Sequence, residues 1–219
     1  MFTIDNQMKE ALPGIKIGIL MMKNTSFCSL DELEIHNSFR EIQHKYGDMD
    51  RKELKVLYPI QSYMSYYKKF GYSYPVLAQL ESVLKGKKTL HAESGVLQAM
   101  FLSELESMLL TAGHDLSKLQ MPLQLKLAAG NETYQSISEK EVNTVGNDLM
   151  ICDGTGVISS VLRGPDFKSR ITESTVDVLF TIYAPLGIET EYIETSLRSL
   201  EERIKAFSRS SQTEVMQVF

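Results

Sequence analysis

Cysteine is scarce in this chain: Cys28 and Cys152 are the only two, far apart and without a CxxC spacing. A disulfide framework is therefore not what organises the fold, and a reducing, cytoplasmic setting is expected. Long apolar runs are missing as well. The stretch at residues 15–22 is interrupted by Lys16 and Gly18, is too short to cross a bilayer and lacks secretory flanks, so no membrane partner is expected. Excess positive charge is absent too, since 23 basic against 28 acidic residues leave a net charge of −5. No global field attracts polyanions, and any nucleic-acid contact has to come from a local basic patch. His36, His44, His91 and His114 form no HxxxH or HExxH pair, and no Cys/His cluster has zinc-ligand spacing, so no metal is expected. Neither a GxSxG elbow nor a P-loop occurs, which removes α/β-hydrolase and P-loop nucleotide chemistry and leaves no cofactor expected.

What is present is an ordinary globular composition, 43% hydrophobic and 23% charged over 219 residues. That length suffices for one large core. Residues 14–22 carry β-branched side chains and period-two features of a buried strand. A helix is expected from Leu30 to Gly47, with Asp31 and Glu32 in its first turn. Another is expected over 59–70, where Tyr63, Tyr66, Tyr67 and Phe70 form an i, i+3, i+4, i+7 stripe that reads as packing rather than base stacking. Pro75 opens the next helix, ended by Gly86. A longer one over 93–110 is apolar on much of its circumference, which makes it central.

The period then changes. Leu123, Leu125 and Leu127 alternate with Gln124 and Lys126, and further strands are expected over 133–136, 149–152, 156–162 and 176–184. Asp153-Gly154-Thr155-Gly156 between two of them reads as a hairpin turn more than a phosphate loop. A last amphipathic helix covers 189–207, with its core face at Ile193, Leu197, Leu200, Ile204 and Phe207. The polar tail from Ser208 is expected to fray. Helices clustered before strands, with no hinge-like linker, predict an α+β fold in a single domain over 1–219.

Few residues stand out as chemistry. His114, expected on a loop rim beside Asp115, offers a general base oriented by a carboxylate; equally, Asp115 offers a cap for the turn that follows. Lys68-Lys69 and the basic run 85–88 end neighbouring helices, where cations complement the dipole. Arg163, Lys168 and Arg170 fall within eight residues beside Gly164-Pro165 and Phe167, a pattern that fits a polyanion or ligand contact as well as a solvated loop.

The order of these pieces is similar to a known family. Tyr66-Tyr67-Lys68-Lys69-Phe70-Gly71, Tyr74-Pro75-Val76 and Glu81-Ser82-Val83-Leu84-Lys85-Gly86 come first. Ala112-Gly113-His114-Asp115-Leu116, Ala129-Gly130-Asn131-Glu132 and Cys152-Asp153-Gly154 follow, then Arg163 to Arg170 leading into Ile171-Thr172-Glu173-Ser174-Thr175-Val176. Residues 58–185 thus resemble the B3/B4 tRNA-editing domain of the phenylalanyl-tRNA synthetase β chain, and more closely its free-standing relatives. The resemblance implies two stacked sheets with helices on one side, the segments 14–57 and 189–207 packed onto that core. It implies binding of the acylated end of tRNA and hydrolysis of a wrongly attached amino acid. The family's Thr-Asn pocket pair falls on Met100-Phe101, its histidine on Ala112 and its last-strand glutamate near Thr181.

Two functions follow from that likeness. One is a trans-acting aminoacyl-tRNA deacylase, with His114 and Asp115 holding a water and Gly113, Glu132, Arg163, Lys168, Arg170 and Thr175 contacting substrate or RNA. The other is a non-catalytic module for aminoacyl-tRNA, a free amino acid or another small ligand. Loss of polar groups at Met100, Phe101 and Ala112 favours the second. A purely structural or interaction role is the third reading. At 219 residues the chain is not itself an aminoacyl-tRNA ligase.

Overall fold

Side-chain chemistry sets where the helices begin. Asp31 accepts from the Leu33 amide to start α2 (Glu32–Tyr46), and a reciprocal capping box of Asp50 and Glu53 starts α3 (Arg51–Val56). Pro75 occupies the first turn of α5 (Pro75–Leu84), where its missing N–H costs nothing. The computed structural model describes residues 2–87, 90 and 94–219; Lys88, His91 and Glu93, the last expected to open a helix, lie outside them. The remaining helices are α1 (Asn6–Ala11), α4 (Ile60–Lys69), α6 (Gly95–Ser107) and α7 (Thr190–Phe207). No helix among the described residues is long and apolar enough to cross a membrane.

The strands are β1 (Phe2–Ile4), β2 (Lys16–Lys23), β3 (Thr111–Asp115), β4 (Leu123–Leu127), β5 (Thr133–Gln135) and β6 (Glu141–Asn143). They continue with β7 (Leu149–Asp153), β8 (Gly156–Ser160), β9 (Gly164–Pro165), β10 (Val178–Ala184) and β11 (Gln212–Val218). A four-stranded antiparallel sheet has the order β11-β2-β10-β3, and a five-stranded sheet the order β1-β4-β7-β8-β9. β5 and β6 form a separate hairpin. Asp153 pairs with Gly156 across the β7–β8 turn, so Asp-Gly-Thr-Gly is a hairpin turn.

The four-stranded sheet explains the layering. All seven residues of β10 are buried, which is why its sequence is continuously apolar with only Thr181 and Tyr183 carrying hydroxyls. Its even positions face the helices. A Cβ on Gly18, the partner of Ile182, would lie 2.6 Å from Ile193 and 3.3 Å from Leu197 of α7, and one on Gly113 would lie 3.0 Å from the Met100 sulfur of α6. Its odd positions, Leu179, Thr181 and Tyr183, with His114 and Ala112 beside them on β3, therefore face the five-stranded sheet. The fold is α+β, two stacked sheets with α6 and α7 on the outer face of one of them.

Helix α4 ties the two sheets together at one end. The Tyr63 hydroxyl donates to the Tyr183 carbonyl of the four-stranded sheet (2.5 Å) and accepts from the Leu110 amide (3.0 Å). Tyr66 donates to Asp148 (2.7 Å) and Tyr67 to the Val161 carbonyl (2.9 Å), both on the five-stranded side. The tyrosine stripe is thus packing, with each hydroxyl spent on a buried partner. On α7, Ile193, Leu197, Leu200 and Ile204 are all at most 1% exposed, each contributing about 2 kcal/mol relative to exposure. One cluster of buried apolar residues draws on elements from β1 to α7.

Two expectations fail here. Residues 111–115 form no helix end or loop rim but an inner-face strand, because Ala112 and His114 pair with Thr181 and Leu179 of β10. The tail after Ser208 does not fray: residues 212–218 add β11 to the edge of β2, and Val215, Met216 and Val218 pack against the core. Its burial alternates as an edge strand's does, solvated on one side.

Candidate functional site

Strand periodicity places Ala112, Thr181 and Tyr183 on the face turned toward β8, and the space between them is not filled. A cavity of about 300 Å³ opens there, lined by Ala112, Ser159, Ser160, Arg163 and Tyr183, with Tyr72 from the α4–α5 connection at its edge. The volume sits at the small end of ligand sites.

Its lining is mostly apolar, with a few hydroxyls set in the buried wall. Ser159 is 1% and Tyr183 2% exposed, and the Ser159, Thr181 and Tyr183 hydroxyls lie close together behind the wall, with no well-formed hydrogen bond to any other described residue. Burial pushes the Tyr183 hydroxyl far above the ordinary tyrosine range, against a smaller opposing pull from the nearby Ser159 and Thr181 hydroxyls. It is accordingly a neutral donor at any working pH. Buried groups of this kind each cost about 1–3 kcal/mol when unsatisfied, so hydroxyls gathered behind a wall draw on one another, on water or on a ligand.

Arg163 marks the mouth. Its Nε donates to the Asn143 carbonyl at 3.2 Å, and its guanidinium lies 5.5 Å from the Tyr72 ring centre. The backbone turn behind it is fixed by Ser160, whose Oγ accepts from the Arg163 amide (3.2 Å), and by Tyr134, which donates to the Gly164 carbonyl (2.7 Å).

The other residues singled out from the sequence lie around this cavity rather than in it. His114 follows Ala112 on the same strand face and is fully buried. Its Nδ1 meets the Ser169 Oγ at 2.7 Å, and Ser169 in turn donates to Asp166, while Nε2 has no partner among the described residues. Burial lowers the imidazole pKa to about 4. The ring is therefore neutral, and its 3.9 Å separation from the Asp166 carboxylate is a Ser169-bridged contact rather than an ion pair. Asp115 accepts from the Ser117 amide (2.9 Å) and hydroxyl (2.6 Å) to cap a short 3-10 turn, and from Thr175 Oγ1 at 2.8 Å. Both of its oxygens, and the Thr175 hydroxyl, are spent on structure.

Gly113 faces the opposite layer, where a Cβ would meet Ile171 at 2.9 Å. Glu132 binds its own loop, accepting from the Ala129 and Gly130 amides and Thr144 Oγ1. Burial alone would raise its pKa, but those bonds hold it down to about 2. Lys168 reaches Thr155 Oγ1 (2.7 Å) and Asp153 (3.6 Å) at the hairpin turn, and Arg170 lies 3.5 Å over the Phe167 ring. The three cations of that loop are thus engaged at separate places. Arg163 alone among the singled-out residues lines the cavity, whereas Ser159, Ser160, Tyr72 and Tyr183 were missed. A Ser-Ser pair in a strand that pairs on both sides was the one available signal.

Two of the positions implied by the family likeness do meet here. Ala112 lines the cavity and Thr181 is its direct partner across β3 and β10. Met100 abuts Gly113 on the helix side instead. Among the described residues no three His, Cys, Asp or Glu side chains gather as metal ligands.

Two stacked sheets with helices on one side and a small cavity between them make this an α+β sandwich. The family model of the B3/4 domain matches residues 103–217, just over half of the chain, and the chain belongs to that family. A solved N-terminal fragment of the phenylalanyl-tRNA synthetase β-subunit from Pyrococcus horikoshii is similar at 12% identity with a TM-score of 0.49. That similarity covers 97% of this chain and 50% of the fragment, so the chain spans half of the fragment's length. No curated protein matches the chain.

Proposed function

We propose that this B3/4 domain protein binds the acylated 3′ end of a tRNA as a single domain, with the amino acid seated in the cavity between the sheets. The observation that carries this reading is the cavity between the sheets, with Arg163 at its mouth and the Ser159 and Tyr183 hydroxyls in the wall behind it. An aminoacyl ester has a carbonyl and an amino group for those hydroxyls, and a terminal phosphate for the guanidinium. A cavity of about 300 Å³ accepts an aminoacyl group but not a whole nucleotide beside it.

Binding is favoured over hydrolysis by what lines the wall. Ester hydrolysis calls for a base within reach of a water. No carboxylate or imidazole is among the lining residues, and the His114 ring is sealed between the sheets, outside that lining, with its pKa lowered to about 4.

The test compares aminoacylated with deacylated tRNA by filter binding. The acylated form is expected to bind more tightly, and Ser159→Ala to weaken that preference about 5- to 10-fold, the worth of one hydrogen bond. Equal affinity for both forms in the native protein refutes the reading. Binding of a free amino acid as tightly as the acylated tRNA would make the chain a small-molecule binder instead. Catalytic release of the amino acid would establish a deacylase.

A further inference from the structure

A second depression lies beside the cavity. It measures about 370 Å³ and lies between α3, α4 and the α4–α5 connection, with Arg51, Lys55, Lys68, Tyr72 and Ser73 on its walls. Tyr72 and Ser73 belong to the walls of both spaces, so the two are separated only by the Tyr72 ridge. Arg163 stands across the same ring, 5.5 Å from its centre.

The charge of this groove is opposite to that of the chain. The net charge is −5, yet Arg51, Lys55 and Lys68 line the groove and no carboxylate is among its lining residues. Glu81 lies next to it and pairs with Arg51 at 2.8 Å. Lys55 and Lys68 form no ion pair among the described residues. Arg51 and Lys55 are four residues apart on α3, so they project from one face. Lysines at a helix C-terminus have a dipole reason to be there, which holds for Lys68 on α4 and for Lys55 in the last turn of α3. It does not account for the two helix ends, with Arg51 from the start of α3, opening on one groove that ends at an aromatic ridge.

We propose that this groove is the track for the single-stranded 3′ segment of the RNA, an assignment that rests on the cavity being the seat of the acylated end. Lys55 and Lys68 take backbone phosphates, Arg163 takes the phosphate nearest the cavity, and the half-exposed Tyr72 ring offers a stacking platform to a base. Charge spacing with an aromatic at the end of the track is how sequence-tolerant single-strand sites are built. An acidic polypeptide would satisfy the lysines but has no use for a cavity on the far side of the Tyr72 ridge.

The experiment measures affinity of the full chain for acylated and deacylated tRNA across a salt series. Each phosphate contact to a single strand contributes about 0.7 to the slope of log K against log salt. The Lys55→Ala/Lys68→Ala protein is expected to lose about 1.4 from that slope, equivalent to about 25-fold weaker binding at 0.1 M relative to 1 M salt. Its preference for the acylated form should persist, because the preference reads the cavity. The charge reversals Lys55→Glu and Lys68→Glu should strengthen the loss, and Lys118→Ala/Lys140→Ala, at exposed positions outside the groove, should leave the slope in place. An unchanged slope in the groove variant, with the preference intact, overturns the groove and spares the cavity. An equal loss of slope in the control pair also overturns it, since binding would then follow net charge. Absence of any preference in the native protein overturns the cavity reading itself, whatever the slope.

Discussion

Replacing His114 by glutamine should remove a specific acid sensitivity from this protein. The imidazole is fully buried, with its pKa lowered to about 4, against about 6.5 in an unfolded chain. Between those values the unfolded state binds a proton that the native state refuses, so acidification favours unfolding. The native state is unpenalised above pH 6.5, loses stability as the pH falls toward 4, and loses no more below it. Each pH unit in that window is worth about 1.4 kcal/mol, which gives about 2 kcal/mol at pH 5 and about 3 kcal/mol at the plateau. For a chain of this length that corresponds to a melting temperature lower by roughly 4–8 °C at pH 5. Glutamine keeps a donor for the Ser169 Oγ and has nothing to titrate. Urea midpoints for the native and His114→Gln proteins, taken from pH 8 to pH 5, should diverge by about 2 kcal/mol in their difference. Asp148, raised by burial, acts in the opposite direction but equally in both proteins, so it cancels. Asp166 is joined to His114 through Ser169 and is also raised by burial, which is why the window stops at pH 5. A difference that stays constant with pH would refute a neutral, sealed imidazole.

Two stability changes test the architecture around the site. Tyr63→Phe strips the Leu110 amide of its acceptor and the Tyr183 carbonyl of its donor, and should cost about 2–4 kcal/mol in chemical denaturation; a loss below about 0.5 kcal/mol would show that the α4 tie is not holding the sheets. Gly18→Ala places a methyl group 2.6 Å from Ile193, and should destabilise by about 1–3 kcal/mol as α7 is pushed from the sheet. An unchanged midpoint there would contradict the close approach of α7 to β2.

Much of the helical half was legible from local chemistry, because caps and stripes are local. Asp31, Asp50 and Pro75 announce their helices, and the α7 stripe at Ile193, Leu197, Leu200 and Ile204 is as regular in the fold as in the sequence. β3 was not legible because Thr-Ala-Gly-His-Asp has poor strand propensity; its conformation is imposed by pairing with β10, which lies far along the chain. β11 was hidden by a polar composition that suits an edge strand as well as a tail. The site was less legible still. Ser159 and Tyr183 lie on strands of different sheets, and nothing near either one in sequence says that their hydroxyls lie close together. The family likeness located Ala112 and Thr181, but not which neighbours complete the wall.

The cavity's walls come from parts of the fold with unequal freedom to change. Tyr183 sits on a strand flanked by two others and buried on both faces, where altering volume disturbs the packing of the layers as well. Tyr72 and Arg163 sit in connections at the surface, where substitution leaves the layers untouched. Depth is thereby inherited from the architecture while the entrance can be retuned residue by residue. Paralogous chains of this shape could therefore diverge in which ligand they admit while keeping the same floor, and engineering of selectivity should begin at the rim.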